Sequence, residues 1–251
     1  MKNTIDLLAS VGASSIRAWR GTSASKTIDQ PPKSPILFDQ EACPNCRFVR
    51  EALTELNLNA MIVPCPDGGN SIKELKEESG SSELPRLFDP NTDQNILGRD
   101  NIIRYLYKEY RGSVMPPQLE STLVNNLASK LASSIRLNAG KNYTPARAAR
   151  HPLTLYSFES SPYSRIVRER LSELELPYLL INLGKQQLSD MGPAKLRFSL
   201  KAYEPIKNTK RDAFFKKHGN VQVPFLIDPN TGIELFESID IVKYLDKTYK
   251  K

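Results

Sequence analysis

The chain has 251 residues, 39% of them hydrophobic and 25% charged, with a formal net charge of +7. This is the balance of a folded globular chain, and the lack of any apolar run near the ~20 residues that span a bilayer argues against an integral membrane protein. Three cysteines, an odd number, argue against a secreted disulfide framework, and the two histidines, His151 and His218, lie too far from Cys43 and Cys46 in sequence to complete a zinc set, so no metal is expected.

In chain order, Ile5, Leu8, Ile16 and Trp19 recur at helical spacing and predict a leading amphipathic helix over about 4–20. "SPILF" (34–38) reads as a short strand that runs into "EACPNCRFVREAL" (41–53). Phe48, Val49, Leu53 and Leu56 mark the buried side of the helix after that turn, with Arg47 and Arg50 expected to face solvent. "NAMIVPC" suits a buried central strand, "RLFDPNTDQNIL" a hairpin turned by D-P-N-T, and "IIRYLYKEY" a closing helix. The glycine and prolines of "RGSVMPPQ" (111–118) then mark a boundary.

Beyond it the same order returns. Leu119, Leu123, Leu127 and Leu131 predict a second leading helix over about 119–137. "LTLYSF" (153–158), a helix carrying Ile166, Val167, Leu171 and Leu174, "PYLLINL", "FLIDPNTGIELF" and "IVKYLDKTY" follow. Three blocks make the repeat explicit. "LASVGASSIR" (8–17) matches "LASKLASSIR" (127–136), "EACPNCRFVREALTELNL" (41–58) matches "ESSPYSRIVRERLSELEL" (159–176), and "LPRLFDPNTDQNILGRDNIIRYL" (84–106) matches "VPFLIDPNTGIELFESIDIVKYL" (223–245). The chain therefore divides into two related units, 1–113 and 114–251. A serine- and alanine-rich N-terminus with Arg17 and Arg20 has the composition of a transit segment, yet its counterpart sits mid-chain, which favours a folded helix in both copies. With no convincing targeting signal the cytoplasm is the default compartment, and a soluble organelle compartment is the alternative.

The second copy is longer between its second and third blocks, and that insertion is basic. Residues 193–219 hold Lys195, Arg197, Lys201, Lys207, Lys210, Arg211, Lys216 and Lys217 against Glu204 and Asp212. No nucleic-acid motif accompanies them, so a solvated, helix-rich insertion is the reading preferred to a nucleic-acid site.

The chemistry gathers at the turn after each first strand. A cysteine at a helix N-terminus faces unpaired backbone N–H groups and the positive end of the dipole, both of which favour thiolate. Cys43 is thus the nucleophile candidate, and Cys46, one turn on, can resolve a mixed disulfide formed on it. Pro44 is pre-set for the first helical turn, and Cys65 in "VPCPDGG" reads as a buried apolar filler. The second copy has Ser161 and Ser164 at these places; serine cannot exchange disulfides.

The C-P-N-C turn, the proline opening the third strand (Pro85, Pro224) and the Glu237-Ser238 pair before the last helix resemble, at their proper order, the thioredoxin fold of glutaredoxins and of glutathione transferase N-terminal domains. The resemblance covers nearly the whole chain, twice, and implies an α/β fold of two tandem thioredoxin-like units with glutathione as co-substrate. It implies cis peptides before Pro85 and Pro224, with Val223 and Pro224 presenting backbone to an extended thiol peptide. It also implies a γ-glutamyl carboxylate site at Glu237 and Ser238, for which the first unit offers Arg99 and Asp100 instead, and a serine at 161 able to hold a glutathione thiolate or merely to cap its helix. No stretch is left for the all-helical domain that forms the electrophile pocket of the transferases. The leading expectation is therefore glutathione-linked thiol-disulfide exchange at Cys43 and Cys46, acting on glutathione or disulfide-containing proteins. The alternatives are a transferase working through the second unit and a non-enzymatic redox-sensing module.

Overall fold

The computed structural model describes residues 2–25, 29–194 and 202–251. After a leading helix α1 (Lys2–Ile16), the first half runs β1 (Ile36–Asp39), α2 (Pro44–Glu55), β2 (Ala60–Pro64), α3 (Ser71–Ser79), β3 (Arg86–Asp89), β4 (Gln94–Leu97) and α4 (Arg99–Arg111). The second half repeats it as α5 (Leu123–Ile135), β5 (Leu153–Ser157), α6 (Pro162–Glu173), β6 (Tyr178–Asn182), α7 (Lys210–His218), β7 (Phe225–Asp228), β8 (Ile233–Phe236) and α8 (Ser238–Tyr249). Both leading helices are shorter than their periodicity predicts. Ala18 and Trp19, and likewise Leu137 and Asn138, take positive φ and end the helical run, while Leu119 sits in a separate 3-10 turn.

All eight strands of the described residues form one sheet in the order β4-β3-β1-β2-β6-β5-β7-β8. In each half the first two strands are parallel, the third (β3 or β7) runs antiparallel to the first, and the fourth pairs antiparallel with the third. The halves join edge to edge through antiparallel β2 and β6, with Met61 opposite Leu179. This pairing covers two edges that would otherwise be open. One apolar core runs under α2, α4, α6 and α8 through both halves, from Leu37 and Leu53 to Leu155 and Leu226. A smaller cluster of Leu183, Phe214, Val221 and Phe225 lies beneath α7. The D-P-N-T turns are tied back to the closing helices: Asp89 accepts from Tyr105 and Tyr110, and Asp228 from Tyr244 and Tyr249.

The leading helices pack by the face that their apolar spacing does not predict. Ile5, Leu8, Leu127 and Leu131 are exposed, whereas Ser10, Ala13, Ser14 and Arg17, and their repeats Ser129, Ala132, Ser133 and Arg136, are buried. The small buried side chains let each helix approach a backbone closely. Ser10 and Ser14 hydroxyls donate to the carbonyls of Pro162 and Ser160, both at 2.8 Å, and Ser129 donates to Pro44 O at 2.9 Å. Helix α1 of the first half thus docks on the N-terminal turn of α6, and α5 of the second half docks on that of α2. The halves exchange their leading helices.

Arg47 and Arg50, expected in solvent, are almost fully buried at this junction, as are their repeats Arg165 and Arg168. Arg50 reaches Glu159 at 3.0 Å, and Arg168 reaches Glu41 at 2.9 Å, so each half's arginine pairs with the other half's glutamate. Arg50 also holds Asp39 at 2.6 Å. Two glycines allow the chain to cross here. A Cβ on Gly21 would stand 2.7 Å from Cβ of Glu159, and one on Gly140 would stand 2.9 Å from Cβ of Glu41. Both glycines also have positive φ, so replacement is disfavoured twice over. Helix periodicity missed this seam because charged residues between apolar ones read as a solvated face. The other half of the molecule buries them: Arg47 donates to Ser129 O of α5 and Arg165 to Ser10 O of α1, both at 2.6 Å.

Candidate ligand site and thiol turn

Cys43 caps α2. Its backbone is extended, and its Sγ accepts from Cys46 N at 3.4 Å, while Pro44 occupies the first helical position. Cys43 is half-buried, Cys46 and Cys65 are buried, and all three thiols are free. The hydrogen bond from the Cys46 side chain, helped by the backbone N–H groups of Cys46 and Asn45, brings the Cys43 thiol down to about 7 against burial and the nearby Asp39 charge. Burial, then the adjacent Cys43, drives the Cys46 thiol well above its ordinary value. Cys65 is pushed up to about 12, mainly by burial. The turn therefore holds one ionisable thiol in front of one protonated thiol.

Around this turn the first half is closely filled. Arg99 opens α4, donating from Nε to Asp100 at 2.7 Å and from an Nη to Asn126 of α5 at 2.7 Å. Its guanidinium lies 4.3 Å from the Phe48 ring centroid, and Arg17 lies 4.4 Å from the same ring. Leu84-Pro85 is cis. A small cavity of about 190 Å³ beside the turn is lined by Pro44, Asn45, Phe48, Asn126 and Lys130.

The second half is open at the equivalent place. A cavity of about 650 Å³ is bounded by Ser161, Pro162 and Tyr163 from the start of α6, by Val223-Pro224, and by Glu237-Ser238 at the start of α8. Ser161 caps α6, its Oγ accepting from Ser164 N at 3.3 Å, which leaves the hydroxyl proton to donate elsewhere. Val223-Pro224 is cis like its counterpart. Glu237 takes φ 65° and ψ 119° where the first half has Gly98 at φ 87°. A side chain in that conformation is strained, the kind of feature that concentrates at ligand sites. Ser238 is buried at the first turn of α8, among backbone N–H groups that suit an anion.

Several lining residues were not expected at this site from the sequence. Lys185 follows β6, donates to Gly192 O at 2.8 Å and lies 5.6 Å from the Phe158 ring centroid. Val11, Trp19 and Thr22 come from the first half, carried there by the exchanged helix α1. Arg211 of the basic stretch is also in the wall, buried and ion-paired with Asp190 at 3.3 Å. Lys210 donates to Asn57 O and Asn59 Oδ1, and Lys216 and Lys217 pair with Asp212 and Glu234. Much of that stretch is thus engaged within the molecule; Lys195, Arg197 and Lys201 lie outside the described residues. Among the described residues no His, Cys, Asp or Glu group could hold a metal, and no helix is long and apolar enough to cross a membrane.

A strand–helix–strand core, a hairpin after a cis proline and a helix N-terminus aimed at the same edge define a thioredoxin-like protein, here built twice on one sheet. The family model for the glutathione S-transferase N-terminal domain matches residues 37–114 and again 155–251, and the chain belongs to that family. Comparison with curated proteins and with solved structures finds no match.

Proposed function

We propose that the protein binds glutathione in the second half and holds its sulfur as thiolate against Ser161, a transferase-type site. The observation that supports this best is the convergence of Ser161, Val223, Pro224, Glu237 and Ser238 on one open cavity. The Ser238 hydroxyl and the α8 N-terminal amides suit the γ-glutamyl carboxylate, and the Val223 backbone suits the cysteinyl unit. Lys185 adds a cation to the same wall. The test is calorimetric titration with glutathione. Ser238→Ala should weaken binding at least tenfold, consistent with ~1.5–3 kcal/mol for a hydrogen bond to a charged group. Ser161→Ala should leave binding but abolish the thiolate ultraviolet absorbance of the bound peptide. Unaltered affinity in Ser238→Ala would reject the assignment.

The first half supports a second chemistry, thiol-disulfide exchange at Cys43 and Cys46, on the observation that Cys43 is lowered to about 7 while Cys46 behind it stays protonated. Cys43 thiolate would displace a substrate thiolate from its disulfide, forming a mixed disulfide with the remaining partner. Cys46, on losing its proton, would then close the Cys43–Cys46 disulfide and release that partner, and two equivalents of a thiol reductant would restore both cysteines. Arg99, already held by Asp100 and Asn126, and the small adjoining cavity favour an extended or protein disulfide over a fully enclosed peptide there. Trapping tests this: Cys46→Ser exposed to oxidised glutathione should accumulate an adduct on Cys43, and an unmodified Cys43 would remove this reading.

A further inference from the structure

We propose that the outward faces of the two leading helices form a docking surface for a second copy of this chain, with α1 and α5 of one molecule packed on α1 and α5 of another about a two-fold axis. None of the side chains involved lines either cavity, so this surface is separate from the thiol turn and from the ligand site.

Helices α1 and α5 lie against each other, and a Cβ on Gly12 would come 3.9 Å from Cγ2 of Ile135. Each turns its serine, alanine and arginine stripe inward, which leaves an apolar stripe in water. On α1 this is Ile5 and Leu8. On α5 it is Leu123, Val124, Leu127, Leu131 and Ile135, and on the two helices together these side chains are 42% to 85% exposed. Single exposed aliphatic residues are ordinary, but on two adjoining helices they make one patch. Of the described charged side chains of α1 and α5, Asp6 pairs with Arg136 at 2.6 Å and Lys130 lines the small cavity, which leaves the patch itself uncharged. Ser134, set among the leucines by helical spacing, donates to Lys130 O of its own helix at 3.1 Å, so covering it orphans no hydroxyl.

Size and symmetry select a second copy as the occupant. The exposed area of these residues amounts to about 700 Å² per chain, above the ~300–600 Å² of the largest apolar patch on a typical monomer and near the ~800 Å² that each partner buries in a standard interface. An isologous contact also needs a surface that matches itself. This one is made from two repeats of one helix, with Ile5 and Leu8 at the repeat positions of Val124 and Leu127, in a molecule whose strand order reads the same from either end of the sheet. A lipid surface fits less well, since helices that lie on membranes rim their apolar face with Lys and Arg and carry aromatic anchors, whereas this patch holds no aromatic residue and has Lys130 alone at its edge. A dimer also accounts for the apolar periodicity that one chain leaves outward: the small-residue stripe is buried within the chain, and the leucine and isoleucine stripe between chains.

Sedimentation velocity of the full chain from about 1 to about 100 µM tests this. The parent should sediment at twice its 28.3 kDa at the upper end and dissociate on dilution. Leu8→Glu combined with Leu127→Glu sets four carboxylates in the contact and should raise the dissociation constant at least ~100-fold, leaving monomer throughout. Its far-ultraviolet circular dichroism should be that of the parent, because both positions are exposed in the single chain. If that pair fails to fold, Leu8→Ala with Leu127→Ala takes its place and should weaken the dimer at least ~10-fold. Ile233→Glu, on the end strand β8, guards against pairing through the sheet edge and should leave the dimer intact. A parent that is monomeric at the upper concentration, or a dimer that survives the leucine pair, refutes the proposal; loss of the dimer in Ile233→Glu instead puts the contact at the sheet edge. A monomeric parent that floats with phosphatidylcholine–phosphatidylglycerol vesicles, and ceases to in the leucine pair, assigns the face to a membrane and overturns the dimer.

Discussion

Removing the Cys46 side chain should make Cys43 a poorer nucleophile without touching Cys43 itself. The Cys46 thiol is the leading cause of the lowered Cys43 value, ahead of the backbone N–H groups that cap the helix. A thiol titrating at about 7 is half thiolate at neutral pH. Loss of one hydrogen bond to a charged acceptor, ~1.4 kcal/mol, raises it by about one unit and leaves about one-tenth as thiolate. Cys46→Ala should therefore be alkylated by iodoacetamide about fivefold more slowly at neutral pH, with rates converging near pH ~9 where both forms ionise. Cys46→Ser keeps a hydroxyl donor at the same place and should retain most of the parent rate. The assay is the initial rate of modification of the Cys43-containing peptide by mass spectrometry across pH ~5 to 9. Cys46 and Cys65 should stay unmodified in the folded chain, since burial holds both as thiols. Superimposable profiles in the parent and Cys46→Ala would refute the reasoning and leave the helix N-terminus as the whole cause.

Glu159→Gln removes the carboxylate that Arg50 and Arg168 share across the seam, and should destabilise the chain by about 3 kcal/mol in urea unfolding at neutral pH, the range for breaking one partner of a buried pair. In the parent, Glu159 is lowered to about 2 by Arg168 and then Arg50 against burial, so that stability is present above the unfolded value of 4.5 and drains away as pH falls towards 2. Asp39 works in the opposite sense. Burial raises it to about 6, so it takes up a proton on folding, and relative to Asp39→Asn the parent should gain stability as pH falls from 6 towards 3.8. Denaturation curves at several pH values separate the two groups; a parent-to-Asp39→Asn difference independent of pH over that window would contradict the assignment. Glu237→Gly relieves a side chain held at positive φ and should raise the melting temperature while weakening glutathione binding. A variant that is both less stable and an equal binder would show that the strain has no bearing on the site.

The repeat and the succession of elements in each half were legible because they rest on local signals: apolar runs, D-P-N-T turns and a motif at a fixed distance from the next. The cis bonds before Pro85 and Pro224 followed only from the resemblance, since a proline at a strand start is as readily trans by its residues alone. The seam was not. Arg47, Arg50, Arg165 and Arg168 sit between apolar positions on helices, and nothing in a helix pattern distinguishes a solvated arginine from one buried against a second copy of the same fold. The leading helices misled for a related reason. Their leucines and isoleucines have the stronger periodicity, yet the buried stripe is Ser10, Ala13, Ser14 and Arg17, chosen for close approach and for carbonyl acceptors on another helix. Glu237, Ser238 and Ser161 were expected at one site through the resemblance, and they line one cavity; Val11 and Trp19 were not expected there, because their place in its wall depends on which half receives α1.

That exchange bears on why one copy carries cysteines and the other an open cavity. At the first copy α5 brings Asn126 to Arg99 and Lys130 to the edge of a small space, so a thiol at Cys43 meets a crowded, polar surface. At the second copy α1 brings Val11 and Trp19 to a cavity more than three times larger, at a turn with no thiol of its own. A resident nucleophile suits the first, since exchange at a disulfide needs access to one sulfur and little enclosure. A bound thiol suits the second, since a ligand that supplies its own sulfur must be held along its length. The two serines at 161 and 164 keep the turn without a thiol: the capping bond from Ser164 N to Ser161 Oγ, at 3.3 Å, matches the bond from Cys46 N to Cys43 Sγ, at 3.4 Å.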